Sequence, residues 1–250
     1  MNILALIPAR MGSSRFPGKP MALIIGKPMI SHVYERVSKS HWLTDTAVAT
    51  CDREIYDYIT SIGGTAVMTG DQHERASDRC AEALVTLEKS KGIKYDIVVM
   101  VQGDEPMTHP DMIDEAVTPL LADPTIQITN LLGKISDTSE FEDRNCIKVV
   151  CDLQSNALYF SREPIPTRCK VDSIPMGKQV CIIPFRRDFL LEYTRMSPTP
   201  LEIAESVDMM RILEHGGKVR MVPTRHATQS VDTPQDLHRL EKIMAMLPPL

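Results

Sequence analysis

No stretch of this 250-residue chain approaches the roughly 20 consecutive apolar residues that a bilayer-spanning helix needs. The opening Met1-Asn2-Ile3-Leu4-Ala5-Leu6-Ile7 has no basic lead and no cleavage pattern, so it does not read as a secretory signal. Cationic excess is missing too: 28 Lys and Arg stand against 33 Asp and Glu, a net charge of −5. That argues against a general nucleic-acid binder, which normally carries a basic face, although a few local cations can still hold a small anion. Cys51, Cys80, Cys146, Cys151, Cys169 and Cys181 include no C-x-x-C pair. They read as reduced cytoplasmic thiols, not as a zinc cluster. His32, His109, His215 and His226 lack metal-ligand spacing, and no repeat, low-complexity tract or linker interrupts the chain. What is there, 43% hydrophobic and 24% charged residues, is ordinary for a folded globular protein. A chain this long can bury about 70–75% of its unfolded surface and needs no covalent staple.

The hydrophobic pattern predicts alternating strands and helices over the first 120 residues. Residues 3–7, and 97–101 within a strand expected at 96–101, are continuous apolar runs, as expected of strands buried on both faces. Shorter strands are expected at 47–50 and 66–68. Helices are expected at 29–37, 54–62, 77–87 and 110–121, the second ended by Gly63-Gly64. This order predicts an α/β fold: a doubly wound, mostly parallel sheet with right-handed crossovers. The second half is less regular. Strands are expected at 148–150 and 157–160 around a turn at 152–156, then at 179–185 and 218–222. An amphipathic helix is expected at 202–215, with Ile203, Val207, Met210 and Leu213 on its apolar side, and a last helix after Thr233-Pro234. The organisation expected is one domain over 1–250 with an antiparallel element inserted at about 145–185.

Three motifs carry chemistry. Pro8-Ala9-Arg10-Met11-Gly12-Ser13-Ser14-Arg15-Phe16-Pro17-Gly18-Lys19-Pro20 packs three cations among small residues directly after a strand. Such a loop can cradle a polyphosphate, its backbone N–H groups approaching the oxygens while Arg and Lys neutralise them. It is not a Walker loop, because Lys19 is followed by proline. Gln102-Gly103-Asp104-Glu105-Pro106 ends the other buried strand. Asp104 there is either a Mg²⁺ ligand or a capping turn. Asp232, in Ser230-Val231-Asp232-Thr233-Pro234, precedes a helix and is either its cap or the second carboxylate of the same metal site. Ligands of doubly wound sheets bind at strand C-terminal ends, so the loops 8–19 and 102–106 should open on one edge.

Leu6, Arg10, Ser13, Arg15, Pro17 and Lys19 follow the pattern L-x(3)-R-x(2)-S-x-R-x-P-x-K. With VQGDEP, ALYFSR, PLE and VDTP in order, the chain from about 3 to 245 resembles the 3-deoxy-manno-octulosonate (Kdo) cytidylyltransferases. The resemblance implies a nucleotide-diphospho-sugar-transferase-like fold, with the antiparallel element serving dimerisation. It implies a cytoplasmic, homodimeric, Mg²⁺-dependent enzyme that forms CMP-Kdo and pyrophosphate from CTP and the sugar acid, for lipopolysaccharide or surface glycan. Arg10, Ser13, Arg15 and Lys19 would then hold the triphosphate, with Pro8, Ala9 and Gly12 lining the same nucleotide site. Asp104 and Asp232 would bind Mg²⁺. Lys19, Asp104, Asp232 and Arg10 would be catalytic. Ser77 and Arg79 fall in the segment 73–79, which matches a nucleotide-proximal H-x-S-G-T-E-R segment. Gln102, Arg162, Glu202 and Glu205 would face the sugar.

The chain also departs from the pattern. Arg75-Ala76 and Asp78 replace Ser-Gly and Glu in that segment, and Ala49-Thr50-Cys51 replaces A-T-D. The stretch before Cys181 reads Met176-Gly177-Lys178-Gln179-Val180 in place of H-x-G-I-Y-x-Y. Gln179 is a candidate replacement sugar contact. An acceptor such as 8-amino-Kdo or a nonulosonic acid therefore stays open, as does a non-catalytic nucleotide-binding protein.

Overall fold

The computed structural model describes all residues except 13–14, 136, 168–176, 228 and 247–250. The chain forms two compact units, Met1–Asp114 with Ala227–Leu250, and Glu115–His226.

The first unit opens with β1 (Ile3–Ala9), every residue of which is buried. A loop and one 3₁₀ turn at Lys19–Met21 lead to a small hairpin, β2 (Leu23–Ile24) and β3 (Lys27–Pro28). Helix α1 (Met29–Val37) begins just after Pro28 and buries Met29, Ile30, Val33 and Val37 on one face. Then come β4 (Asp45–Thr50), α2 (Arg53–Ser61), β5 (Ala66–Met68), α3 (Ala76–Lys91) and the wholly buried β6 (Ile97–Val101). All four strands β6-β1-β4-β5 run parallel, in that spatial order. The chain winds outward from β1 through β4 to β5, then returns to the other side of β1. That reversal lies between β1 and β6, so the loops that leave their C-terminal ends are neighbours at the switch point. The expected parallel sheet and the shared edge for the two loops are both present.

Helix α4 (Pro110–Ala122) carries the chain into the second unit. Its elements are β7 (Thr129–Lys134), α5 (Thr138–Glu142), β8 (Lys148–Cys151), β9 (Ala157–Ser161), β10 (Gly177–Val180), β11 (Ile182–Arg186), α6 (Arg187–Tyr193), α7 (Pro200–Glu205), α8 (Met209–Glu214) and β12 (Arg220–Pro223). α9 (Pro234–Met246) then belongs again to the first unit. The second unit's sheet has the order β12-β7-β10-β8-β9, antiparallel except for β12 against β7. The expected 145–185 element lies inside this unit, which extends on both sides of it.

Several expectations here need correction. Residues 179–185 are not one strand; the chain breaks at Cys181 between β10 and β11. Strand β7, mixed in polarity, was not expected. Its Gly133 is small for packing, since a Cβ there would stand 3.0 Å from Val180 and 3.1 Å from Lys178. Residues 202–215 form two helices, because Ser206 adopts the left-handed conformation at φ 52°. Ile203, expected inside, is 65% exposed, while Glu202 and Arg211 are buried.

Candidate active site

The loop after β1 is closed at its base. Met11 accepts a hydrogen bond from Gly18 N–H at 3.0 Å and donates its own N–H to Asp52 Oδ2 at 2.8 Å. Gly18 needs its lack of a side chain, since its φ is 73°. Lys19 follows directly. Its Nζ donates to Asp104 Oδ2 at 2.7 Å and to the Val231 carbonyl at 2.8 Å. It also lies 3.6 Å from Asp232 Oδ1. Arg15 reaches the same Asp232 oxygen at 2.9 Å.

Three distant pieces of sequence meet here for physical reasons. Asp104 sits just past β6. Gly103 before it lets that loop lie against the end of β1, since a Cβ would stand 3.1 Å from the Pro8 carbonyl oxygen. Val231 N–H donates to the Asp104 carbonyl at 2.9 Å, tying the two loops together. Val231 is itself anchored in an apolar cluster with Ile24, Met29, Leu240 and Met244. Asp232 does not cap α9. Thr233 and Asp236 do that reciprocally: Asp236 Oδ2 accepts Thr233 N–H at 2.9 Å, and Asp236 N–H donates to Thr233 Oγ1 at 3.2 Å. The Asp232 carboxylate is therefore turned to Lys19 and Arg15.

Two carboxylates thus converge on one ammonium. Side-chain exposure is 14% for Lys19, 25% for Asp104 and 17% for Asp232, so the group is sunken but open. Hard anionic oxygens that already share a cation fit a divalent ion such as Mg²⁺, which takes one or two carboxylates and completes its shell with phosphate and water oxygens.

The other expected residues divide sharply. Pro8 and Ala9 are the buried last residues of β1, and Arg10 is exposed beside them. Gly12 has open space around it, and Ser13 lies outside the described residues. Gln102, half-buried, starts the loop after β6. The nucleotide-facing role expected of Ser77 and Arg79 is not supported by their placement. Both are buried, at 1% and 3% exposure. Arg79 Nη1 donates to Thr69 Oγ1 at 2.5 Å and to the Gly70 carbonyl at 3.2 Å. It holds the 69–73 loop from inside.

Among the sugar candidates, Arg162 and Glu205 meet. Glu205 accepts from Arg162 N–H at 2.8 Å and from the Tyr159 and Ser161 hydroxyls, each at 3.2 Å. The Arg162 guanidinium donates to the carbonyls of Glu205, Arg144 and Ser206. Gln179 donates instead to Asn130 Oδ1 at 2.7 Å, on β7. The placement of Glu202 does not support the sugar-facing role expected of it. It is 0% exposed, and both its oxygens are held by Arg211, each at 2.7 Å.

A family model described as cytidylyltransferase matches residues 4–221. The 3-deoxy-manno-octulosonate cytidylyltransferase of Geobacter metallireducens is 43% identical over 96% of each chain. The chain belongs to this cytidylyltransferase family. The enzyme of the same description from Pelobacter propionicus is 44% identical over 95% of each chain. A solved CMP:2-keto-3-deoxy-manno-octonic acid synthetase in complex with CTP superposes with a TM-score of 0.88 at 36% identity, covering 98% of this chain and 99% of that one. For a cytidylyltransferase, the motif-bearing loops are thus where the charges converge. The residues that hold those loops, Asp52, Val231 and the Thr233–Asp236 cap, carry no sequence signal beyond ordinary turn and cap chemistry.

Proposed function

We propose that this cytidylyltransferase transfers the cytidylyl group of CTP to 3-deoxy-manno-octulosonate, forming CMP-Kdo and releasing pyrophosphate. The observation that carries the proposal is the convergence of Asp104 and Asp232 on Lys19 at the switch point of the parallel sheet. The names of the relatives and of the CTP-bound neighbour support the choice of nucleotide and acceptor.

In the reaction, the anomeric hydroxyl forms a bond to the α-phosphorus, the bond to the pyrophosphate oxygen breaks, and the hydroxyl proton leaves. Both reactants are anions, so the protein's work is positioning and charge neutralisation. Asp104 and Asp232 would hold Mg²⁺, which when bound neutralises phosphoryl charge and lowers the pKa of the attacking hydroxyl. Lys19 and Arg15 balance the two carboxylates and keep the site from repelling CTP. Arg10, exposed where β1 ends, adds positive charge for the triphosphate and the departing pyrophosphate. Among the described residues the Arg162 guanidinium makes three carbonyl contacts, and its two other N–H groups would suffice for one sugar carboxylate. Gln102, Glu205 and Gln179 remain the other candidates for the sugar.

The proposal includes a homodimer and a cytoplasmic location. The latter is supported by free thiols at Cys51, Cys80, Cys146, Cys151 and Cys181. No helix among the described residues is long and apolar enough to cross a membrane.

The test is pyrophosphate release from CTP and Mg²⁺ with Kdo, 8-amino-Kdo and a nine-carbon ulosonic acid side by side. Kdo should give the highest kcat/KM. A higher value for another acid would move the acceptor. No release with any acceptor would leave a nucleotide-binding protein without turnover. Sedimentation equilibrium showing only monomer at micromolar concentration would remove the dimer.

A further inference from the structure

We infer that Asp52 is a positioning residue that clamps the phosphate-binding loop, an inference that rests on the cytidylyltransferase reading of that loop. Asp52 occupies the N-cap of α2 with extended backbone, φ −101° and ψ 122°. An aspartate there normally accepts an N–H from the first turn of its own helix. Asp52 makes no such side-chain bond. Its Oδ2 instead accepts Met11 N–H at 2.8 Å, across 41 positions of sequence.

The carboxylate is itself held in place. Asp52 N–H donates to Thr50 Oγ1 at 3.1 Å, and the Cys51 thiol approaches the same Oδ2 at 3.6 Å. Thr50 is fully buried at the end of β4, in register with Ala9 at the end of β1. Asp52 is therefore fixed to the sheet beside the point where the loop departs. Gly18 grips the opposite side of the same residue through the Met11 carbonyl. Met11 is pinned at both its N–H and its C=O. Arg10 lies immediately before the pin, and Lys19 immediately after Gly18. The clamp sets how far these two cations stand from each other and from Asp104.

Two bland roles compete: capping α2, and placing a negative charge at its positive end. Three substitutions separate them. D52N keeps an acceptor of the same length and loses the charge. D52S restores a good cap but is too short to reach Met11. D52A removes everything. Wild type and variants are compared by steady-state kinetics with CTP varied, by thermal unfolding, and by amide exchange of the peptide that contains Met11.

D52A and D52S should both raise KM for CTP about tenfold, the effect of losing one hydrogen bond, with kcat changed much less. Their Met11 amide should exchange faster. D52N should stay within about twofold of wild type on both counts. D52S behaving as wild type while D52A fails would assign Asp52 to capping, and D52N failing like D52A would assign it to charge. Either result overturns the clamp, as does unchanged Met11 exchange in D52S. If wild type releases no pyrophosphate, the functional reading falls, and Met11 exchange in D52S still decides the clamp.

Discussion

Two carboxylate–cation groups in this protein use the same residue chemistry and differ in sequence separation, charge balance and exposure. Glu202 and Arg211 lie nine positions apart and pair through two bonds of 2.7 Å, with side-chain exposures of 0% and 5%. Arg211 also donates to the Met196 carbonyl and stacks 5.0 Å from the Tyr193 ring centre, and Glu202 takes Thr199 N–H as well. One cation meets one anion, and the surroundings are closed. Asp104, Asp232, Lys19 and Arg15 come from three remote segments and remain partly open. There, two like charges are drawn to one point, an arrangement that is tolerable only with positive charge between them. A closed, balanced pair is architecture. An open group that gathers like charges is what the proposed metal site requires.

The comparison breaks first at Asp104. D104N should lower kcat/KM by about a hundred- to a thousand-fold, the scale of a lost metal-borne charge interaction, while the melting temperature holds. Near-wild-type kinetics would remove Asp104 from the chemistry. E202A should do the opposite. Stranding Arg211 in the interior should cost about 3 kcal/mol in urea unfolding, with kcat/KM of the folded protein preserved. Lost turnover with intact stability would mean that Glu202 belongs to the site after all. K19A is expected to raise KM for CTP about tenfold. It also leaves the two carboxylates facing each other, so Mg²⁺ should raise its melting temperature more than that of wild type. An equal shift in both proteins would separate the carboxylates from the metal.

A third pair, His73 with Glu82, is balanced like the first but partly open, and the expected effect is the smallest. Burial alone would raise the Glu82 pKa, but the bonds from His73 and Gly70 N–H outweigh it and hold the carboxyl below its usual 4.5. A depressed carboxyl stabilises the fold above its unfolded pKa and loses that contribution as pH falls through the lower folded value. E82Q should therefore flatten the decline of melting temperature below about pH 4.5. An acid limb identical to wild type would show that the pair contributes nothing.

What could be read from sequence follows from which signals are local. Strands β1 and β6 were legible because complete burial leaves an unbroken apolar run. The loops after them were legible because cations, glycines and a lone aspartate stand out against such runs. Residues 202–215 were misread because periodicity counts apolar side chains and cannot see a buried Glu202–Arg211 pair taking the inner face. Arg79 carries the charge a nucleotide would want, yet the backbone of the 69–73 loop claims it. Asp232 alone looked like a helix cap. Only the fold shows that Thr233 and Asp236 perform that task.

The bond from Lys19 to the Val231 carbonyl joins positions 212 apart. A ribosome delivers the chain from its amino end, so a growing polypeptide owns the cationic loop and Asp104 well before Val231 and Asp232 exist. Lys19 then has one aspartate to hold. The pairing of two carboxylates across one ammonium therefore waits until Val231 and Asp232 have been made, long after the loop that carries Lys19.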